Sequence, residues 1–260
     1  MTRDERLAAL EQIANEVRAC SACRLAEGRT RAVPGEGDPD TEVIFVGEGP
    51  GFNEDREGRP FVGRAGGLLV RLLGSIGWQR ESVFITNVVK CRPPDNRDPE
   101  PDEIAACAPY LRRQLEVLDP AVVVTLGRYS MGTFMPGARI GQVHGTTRPA
   151  DPSTGARDAT VLAMYHPAAA LRTPALERES YEDIARLAGI LQRSRDRRAA
   201  AAAAAAVPSA EQAAGTVAAS PTGAVATPAG AGAAQAPLGA SIQTAEPPAP
   251  ADAESQLTLF

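Results

Sequence analysis

Residues 42–47 read EVIFVG, and residues 48–51 follow them at once as EGPG. A short apolar run with no polar alternation, stopped by Gly and Pro, predicts a β-strand buried on both faces. Three further runs have the same character: VFITNV at 83–88, AVVVTLG at 121–127 and TVLAMY at 160–165. Helical patterns lie between them at 64–77, 101–118 and 127–135, with others at 4–18 and 177–195. Strands alternating with helices predict an α/β fold, a three-layer α/β/α sandwich around a four-stranded parallel sheet. Ligands of such open sheets bind beyond the carboxyl ends of the strands. Three loops are therefore expected to meet at one pocket: GEGPG at 47–51, the segment from Asn87 onward, and HPAA at 166–169.

Composition divides the 260 residues unevenly. From Ala199 onward, 25 of 62 residues are Ala, most others are Pro, Gly, Ser or Thr, and Lys and Arg are absent. Such a segment buries too little apolar surface to offset its ordering entropy, so 199–255 reads as a disordered linker behind a folded body at 1–198. The alanines at 199–206 can prolong the preceding helix. The formal charge is −5, but the tail's acids Glu211, Glu246, Asp252 and Glu254 account for most of it. The body sets 27 Lys and Arg against 28 Asp and Glu, a net −1, which neither favours nor excludes a nucleic-acid partner. No apolar run reaches the ~18–20 residues that span a bilayer, and the charged start MTRDER reads as a helix opening rather than a signal peptide. A cytoplasmic monomer is expected.

In a reducing compartment, four cysteines read as metal ligands before disulfides. Cys20 and Cys23 form a C-x2-C pair, while Cys91 and Cys107 are far apart in sequence. Four thiolates suit zinc or an iron-sulfur cluster, and the loose second pair favours the cluster. The alternative for Cys107, midway along a helix, is a small core residue.

With these residues in view, the segments GEGPGFNEDREGRPFVGRAG (47–66), TNVVKCRPPDNRDP (86–99) and YHPAAALR (165–172) closely resemble the family 4 uracil-DNA glycosylases. The resemblance covers about 15–192 and implies one [4Fe-4S] cluster on Cys20, Cys23, Cys91 and Cys107. It also implies removal of uracil from DNA in base excision repair, in the bacterial cytoplasm at the nucleoid. A non-catalytic DNA-binding protein and a zinc hydrolase of small nucleotides are the alternatives.

An extruded base needs an aromatic platform and a polar reader. By resemblance, Phe61 is the platform, and Asn87 reads uracil by giving its NH2 to O4 and accepting N3–H, a pattern that cytosine reverses. His166 is the donor to uracil O2, where charge develops as the bond breaks. A carboxylate must serve the water or the sugar cation. Glu48 is the first candidate, Glu54 the second, and Asp55 is adjacent; each could instead brace its loop. Gly49 and Gly51 are expected to allow close approach and positive φ. The same segment lacks G-x-G-x-x-G spacing and sits beside acids, which argues against a dinucleotide loop. Arg64, Arg92 and Arg172, with Arg59, Lys90 and Arg97, are candidate phosphate contacts. Ala170 replaces a family leucine, leaving Leu171 or Arg172 as the residue that wedges into the emptied stack. His144 reads as structural.

The chain ends in QLTLF, which resembles the bacterial sliding-clamp-binding motif. Gln256, Leu257, Leu259 and Phe260 are the expected contacts. A flexible linker of this length would span roughly 40 Å, enough to hold the enzyme near its partner.

Overall fold

The structure, a computed structural model, describes residues 1–206. The expected clamp-binding peptide and most of the linker lie outside the described residues. A long helix α1 (Arg3–Ala19) and a single turn α2 (Leu25–Gly28) open the chain, followed by β1 (Glu36–Gly37) and β2 (Val43–Gly47). Next come α3 (Phe52–Glu57), α4 (Arg64–Ser75), β3 (Phe84–Asn87), α5 (Pro101–Leu118) and β4 (Val122–Leu126). The second half holds α6 (Arg128–Phe134), α7 (Ile140–Val143), β5 (Thr147–Pro149), β6 (Thr160–Met164), α8 (Pro167–Ala170), α9 (Pro174–Ile184) and α10 (Leu187–Ala206).

The strand order is β1-β3-β2-β4-β6-β5. The four expected strands are the central ones and run parallel. The sheet nevertheless has six strands, because β1 and β5 add antiparallel edges. Glu36–Gly37 is too short to show a period, and all three residues of β5 are exposed, so neither carries the apolar run that marks a buried strand.

The buried strands feed two cores. Ile44 and Val46 of β2 face Leu10, Ile13 and Val17 of α1, Leu111, Leu115 and Leu118 of α5, and Met131 and Phe134 of α6. Val43 and Phe45 face Leu68, Leu69, Leu72 and Leu73 of α4 and Leu187, Ile190 and Leu191 of α10. Alternate side chains of one strand thus pack opposite helical layers, which is why the run is apolar throughout.

Helix ends are set locally. At the start of α5, Glu100 and Glu103 cap each other reciprocally, with Pro101 in the first turn, and Asp119 ends the helix at φ 45°. The pattern expected at 177–195 is two helices, α9 and α10, and α10 continues through the alanines to Ala206, past the expected boundary at 198.

Candidate active site

The strand order reverses between β2 and β4, so a crevice opens beyond their carboxyl ends. Gly47 and Asn87 are paired in register at the ends of β2 and β3. A β-carbon placed on Gly47 would stand 2.3 Å from Asn87 Oδ1 and 2.6 Å from Phe61 Cζ. Phe61 and Asn87 therefore both press on the hydrogen face of Gly47. The Phe61 and His166 rings lie 5.8 Å apart between centroids, tilted by 33°. These three expected residues share one site.

Phe61 is held at φ 50°, a costly conformation for a side chain with a β-carbon. Its neighbours pin it there. Val62 N and Gly63 N donate to Glu54 Oε1 at 3.0 and 2.9 Å, and the Arg80 guanidinium donates to Phe61 O at 3.0 Å and to Pro60 O. Arg80 is itself tied to Glu36. Sequence reasoning missed Arg80, which lies outside every quoted motif.

Asn87 is 1% exposed, and its Oδ1 has no hydrogen-bond partner among the described residues. A buried carbonyl oxygen left bare costs about 1–3 kcal/mol unless a ligand donor meets it. The Asn87 backbone is better served. Lys90 Nζ donates to Asn87 O at 2.7 Å, to Gln114 Oε1 at 2.7 Å and to Thr86 Oγ1 at 2.6 Å. Lys90 is thus buried within the fold, not a phosphate contact.

His166 caps α8, and its Nδ1 accepts from Ala168 N at 3.1 Å. The neutral ring consequently carries its proton on Nε2. Burial pushes its pKa down to about 4, with Glu54 opposing and Arg172 adding to the depression. A close-packed wall supports the ring: Gly127, at φ 90°, would bring a β-carbon to 2.8 Å from His166 Cβ.

The three carboxylates separate by their partners. Glu54 spends one oxygen on two backbone amides, and Asp55, 3% exposed, accepts from Thr30 N at 2.9 Å. Glu48 is half-buried, and its carboxylate has no hydrogen bond among the described residues. Burial pushes its pKa up to about 7; Asp98 adds to the rise and Arg128 opposes it. Arg128 is ion-paired with Asp98 and lies over the Tyr129 ring. Sequence reasoning did not single out this pair. Gly49 and Gly51 are not at positive φ, contrary to expectation. Close approach is their reason: a β-carbon would meet Val89 Cγ2 at 2.7 Å from Gly49 and Glu54 Oε2 at 2.8 Å from Gly51.

Around the crevice, Arg64 and Arg172 are exposed, whereas Leu171 is partly buried against the α4 and α10 core. Arg59 is paired with Glu36 and Arg97 with Glu103. His144 Nδ1 bonds Asp183 Oδ2 at 3.0 Å, and its ring lies 4.5 Å from that of Tyr165.

Cys20, Cys23, Cys91 and Cys107 line one small cavity together with Arg29 and Lys90. All four are free thiols. Arg29 donates to Cys91 Sγ at 3.1 Å, Lys90 N to Cys107 Sγ at 3.2 Å and Ala22 N to Cys20 Sγ at 3.4 Å. Among the described residues no three His, Cys, Asp or Glu side chains converge on the position of a single metal ion. Four sulfurs around a shared space, with N–H donors aimed at three of them, have the donor chemistry of a thiolate-bound metal site.

The family model for the uracil DNA glycosylase superfamily matches residues 34–187. The type-4 uracil-DNA glycosylase of Sulfurisphaera tokodaii is 48% identical over 184 residues, covering 68% of this chain and 83% of that protein. The type-4 uracil-DNA glycosylase of Thermotoga maritima is 43% identical over 194 residues, covering 74% of this chain and 98% of that protein. The type-5 uracil-DNA glycosylase of Thermus thermophilus is 35% identical over 120 residues, 40% of this chain and 54% of that protein.

Proposed function

Since the chain belongs to the uracil DNA glycosylase superfamily, with type-4 relatives aligned along nearly their whole length, we propose how its pocket removes uracil from DNA. The observation that carries the reading is the bare, buried Oδ1 of Asn87 beside the Phe61 and His166 rings. Uracil N3–H is a donor of the kind this oxygen needs, and the Asn87 amide can give its hydrogen to O4. Cytosine would set acceptor against acceptor there, a mismatch that such sites reject by roughly 10⁴-fold.

With the base extruded onto Phe61, the neutral Nε2–H of His166 donates to uracil O2. As the C1′–N1 bond breaks, its electron pair moves into the uracil ring and charge builds on O2. A fixed donor there stabilises the transition state more than the ground state, typically by about 10²–10³ in rate. Water then bonds to C1′ and passes a proton to Glu48, the one acid of the loop whose carboxylate is not committed to backbone amides. Glu54 positions the Phe61 loop through the Val62 and Gly63 amides.

Cys20, Cys23, Cys91 and Cys107 would hold one [4Fe-4S] cluster, which when bound would supply iron–thiolate bonds tying the segment after α1 to the segment after β3 and to α5. Arg64, Arg92 and Arg172 are the proposed phosphate contacts. Of the two wedge candidates, Arg172 is favoured, because Leu171 is committed to the core. The terminal Gln256, Leu257, Leu259 and Phe260 would dock on a sliding clamp; truncation before Gln256 should abolish co-elution with the clamp, and retained co-elution rejects the docking role.

The reaction is tested with a uracil-containing oligonucleotide followed by alkaline cleavage. Strand breaks at uracil and none at cytosine are expected. A protein that gives no abasic product at any concentration rejects the reading. Absorbance near 400 nm in protein purified without oxygen tests the cluster, and colourless protein replete with zinc overturns it.

A further inference from the structure

The loop after β2 carries an aromatic side chain that the uracil pocket does not use. Phe52, the first residue of α3, is 53% exposed, and it is the single aromatic among the large exposed apolar side chains of the described residues. Two guanidinium groups attend its ring. Arg56, one turn along α3, lies 5.5 Å from the ring centroid, and Arg92, from the loop after β3, lies 5.3 Å away. Arg92 Nε also donates to Asn96 Oδ1 at 2.8 Å, a bond between exposed side chains.

The position matters as much as the chemistry. Phe52 follows Gly51 directly and stands two residues before Glu54, whose carboxylate holds the backbone of Val62 and Gly63 beside Phe61. Phe52 and Glu54 both lie in the first turn of α3, so their α-carbons are only about 5.4 Å apart, within the length of one nucleotide step. Extruding a base from a strand bares one face of its neighbour, which then lacks a stacking partner. An exposed phenyl ring with two guanidinium groups over it offers that face an apolar surface once an entering base displaces one of them toward the adjoining phosphate.

We infer that Phe52, Arg56 and Arg92 form a second nucleotide subsite, in which the base next to the extruded uracil on the same strand stacks on Phe52. The inference rests on the glycosylase reading above. The guanidinium groups of Arg56 and Arg92 bind the phosphates on either side of that base. A protein partner fits less well, because an isolated ring between two positive charges matches an anionic strand with π faces and not an apolar patch.

The test is a cycle between protein and substrate, read by fluorescence anisotropy on single strands carrying 2′-fluoro-deoxyuridine, which resists cleavage. The base on the 5′ or the 3′ side of the uracil is replaced by a tetrahydrofuran spacer, which keeps the phosphates. For the wild-type protein, removing the stacked neighbour on one side should weaken binding about tenfold. Phe52→Ala should bind the intact strand about tenfold more weakly and be indifferent to that same replacement, whereas Phe52→Trp should restore both affinity and sensitivity. Equal sensitivity in wild type and Phe52→Ala, or indifference of the wild type on both sides, overturns the subsite. Uracil release from an ordinary deoxyuridine strand is measured in parallel. Release without neighbour dependence rejects the subsite alone, and no release rejects the glycosylase reading together with it.

Discussion

If Glu48 takes the proton from water, the enzyme should be limited by the ionised fraction of that one carboxylate near neutral pH. Its pKa stands at about 7 because the group is half-buried and faces Asp98, with Arg128 only partly offsetting both. A base with that pKa is about one-eleventh ionised at pH 6 and about ten-elevenths ionised at pH 8. kcat/KM should therefore climb about tenfold between those values, with unit slope below pH 6.5 and a plateau above pH 8. His166 adds no inflection in this window, since its pKa of about 4 leaves the ring neutral throughout. Asp98→Asn should move the midpoint to lower pH, because it removes a negative neighbour and frees Arg128 from its ion pair. The assay is initial-rate uracil release at low substrate across pH 5.5–9 at constant ionic strength. Glu48→Gln should give a low, flat profile. A wild-type rate that is flat from pH 6 to 8, or a Glu48→Gln variant that keeps the inflection, refutes the assignment. Stability supplies an independent sign. A carboxylate whose folded pKa is raised is fully stabilising below the unfolded value of 4.5, and that contribution falls away as pH rises to about 7. Glu48→Gln should accordingly melt higher than wild type at pH 8 and lose that advantage at pH 4.

Three further perturbations probe the rest of the site. His166→Ala should lower kcat by about 10²–10³ while changing affinity for a 2′-fluoro-deoxyuridine strand far less, and near-normal turnover would remove its role at O2. Gly47→Ala should fold, because Gly47 is not at positive φ, yet its β-carbon would sit 2.3 Å from Asn87 Oδ1 and 2.6 Å from Phe61 Cζ. The expected result is a melting loss of about 1–3 kcal/mol and a collapse of uracil selectivity in competition with cytosine strands. Lys90→Met removes three donors from Thr86, Asn87 and Gln114, so thermal melting should fall by about 1–3 kcal/mol. Its KM for uracil strands should rise with the loss of the Asn87 anchor, and an unchanged KM would detach Lys90 from base reading.

The central strands were legible because burial on both faces leaves a mark in every residue: VIFVG at 43–47 has no polar side chain and is buried throughout. The edge strands were not, since β5 is exposed along its whole length and β1 is held by register with Phe84 and Ile85 rather than by its own side chains. Phe61, Asn87 and His166 were found together through their motifs. The choice among Glu48, Glu54 and Asp55 was not available from sequence, because it depends on which backbone amides each carboxylate meets: Thr30 from a distant segment, and Val62 and Gly63 from the far end of the same motif. Lys90 was misread for a related reason. A lysine among arginines in a loop looks like a surface cation, and its burial is set by Gln114, which comes from a helix 24 residues later.

That lysine also explains why a thiolate-lined cavity and a base pocket can share one short stretch of chain. From Thr86 to Cys91 the backbone passes from the end of β3 to the cysteine cavity, and both Asn87 and Cys91 are fixed along it. Lys90 sits between them with its side chain turned back to the Asn87 carbonyl and its own amide donating to Cys107. Gln114 then closes the unit by donating to Pro34 O at 2.7 Å while accepting from Lys90. If the Asn87 amide presents its oxygen to N3–H and its NH2 to O4 as proposed, it tolerates little rotation, since a turn of the side chain would read cytosine instead. Holding its backbone on both sides, by sheet register with Gly47 and by the Lys90 ammonium, gives that orientation a rigid origin. On the proposed reading, ligation at Cys91 and Cys107 would tighten the same turn from the far side, so a group held there would act on base selection through the position of Asn87 with no electron transfer.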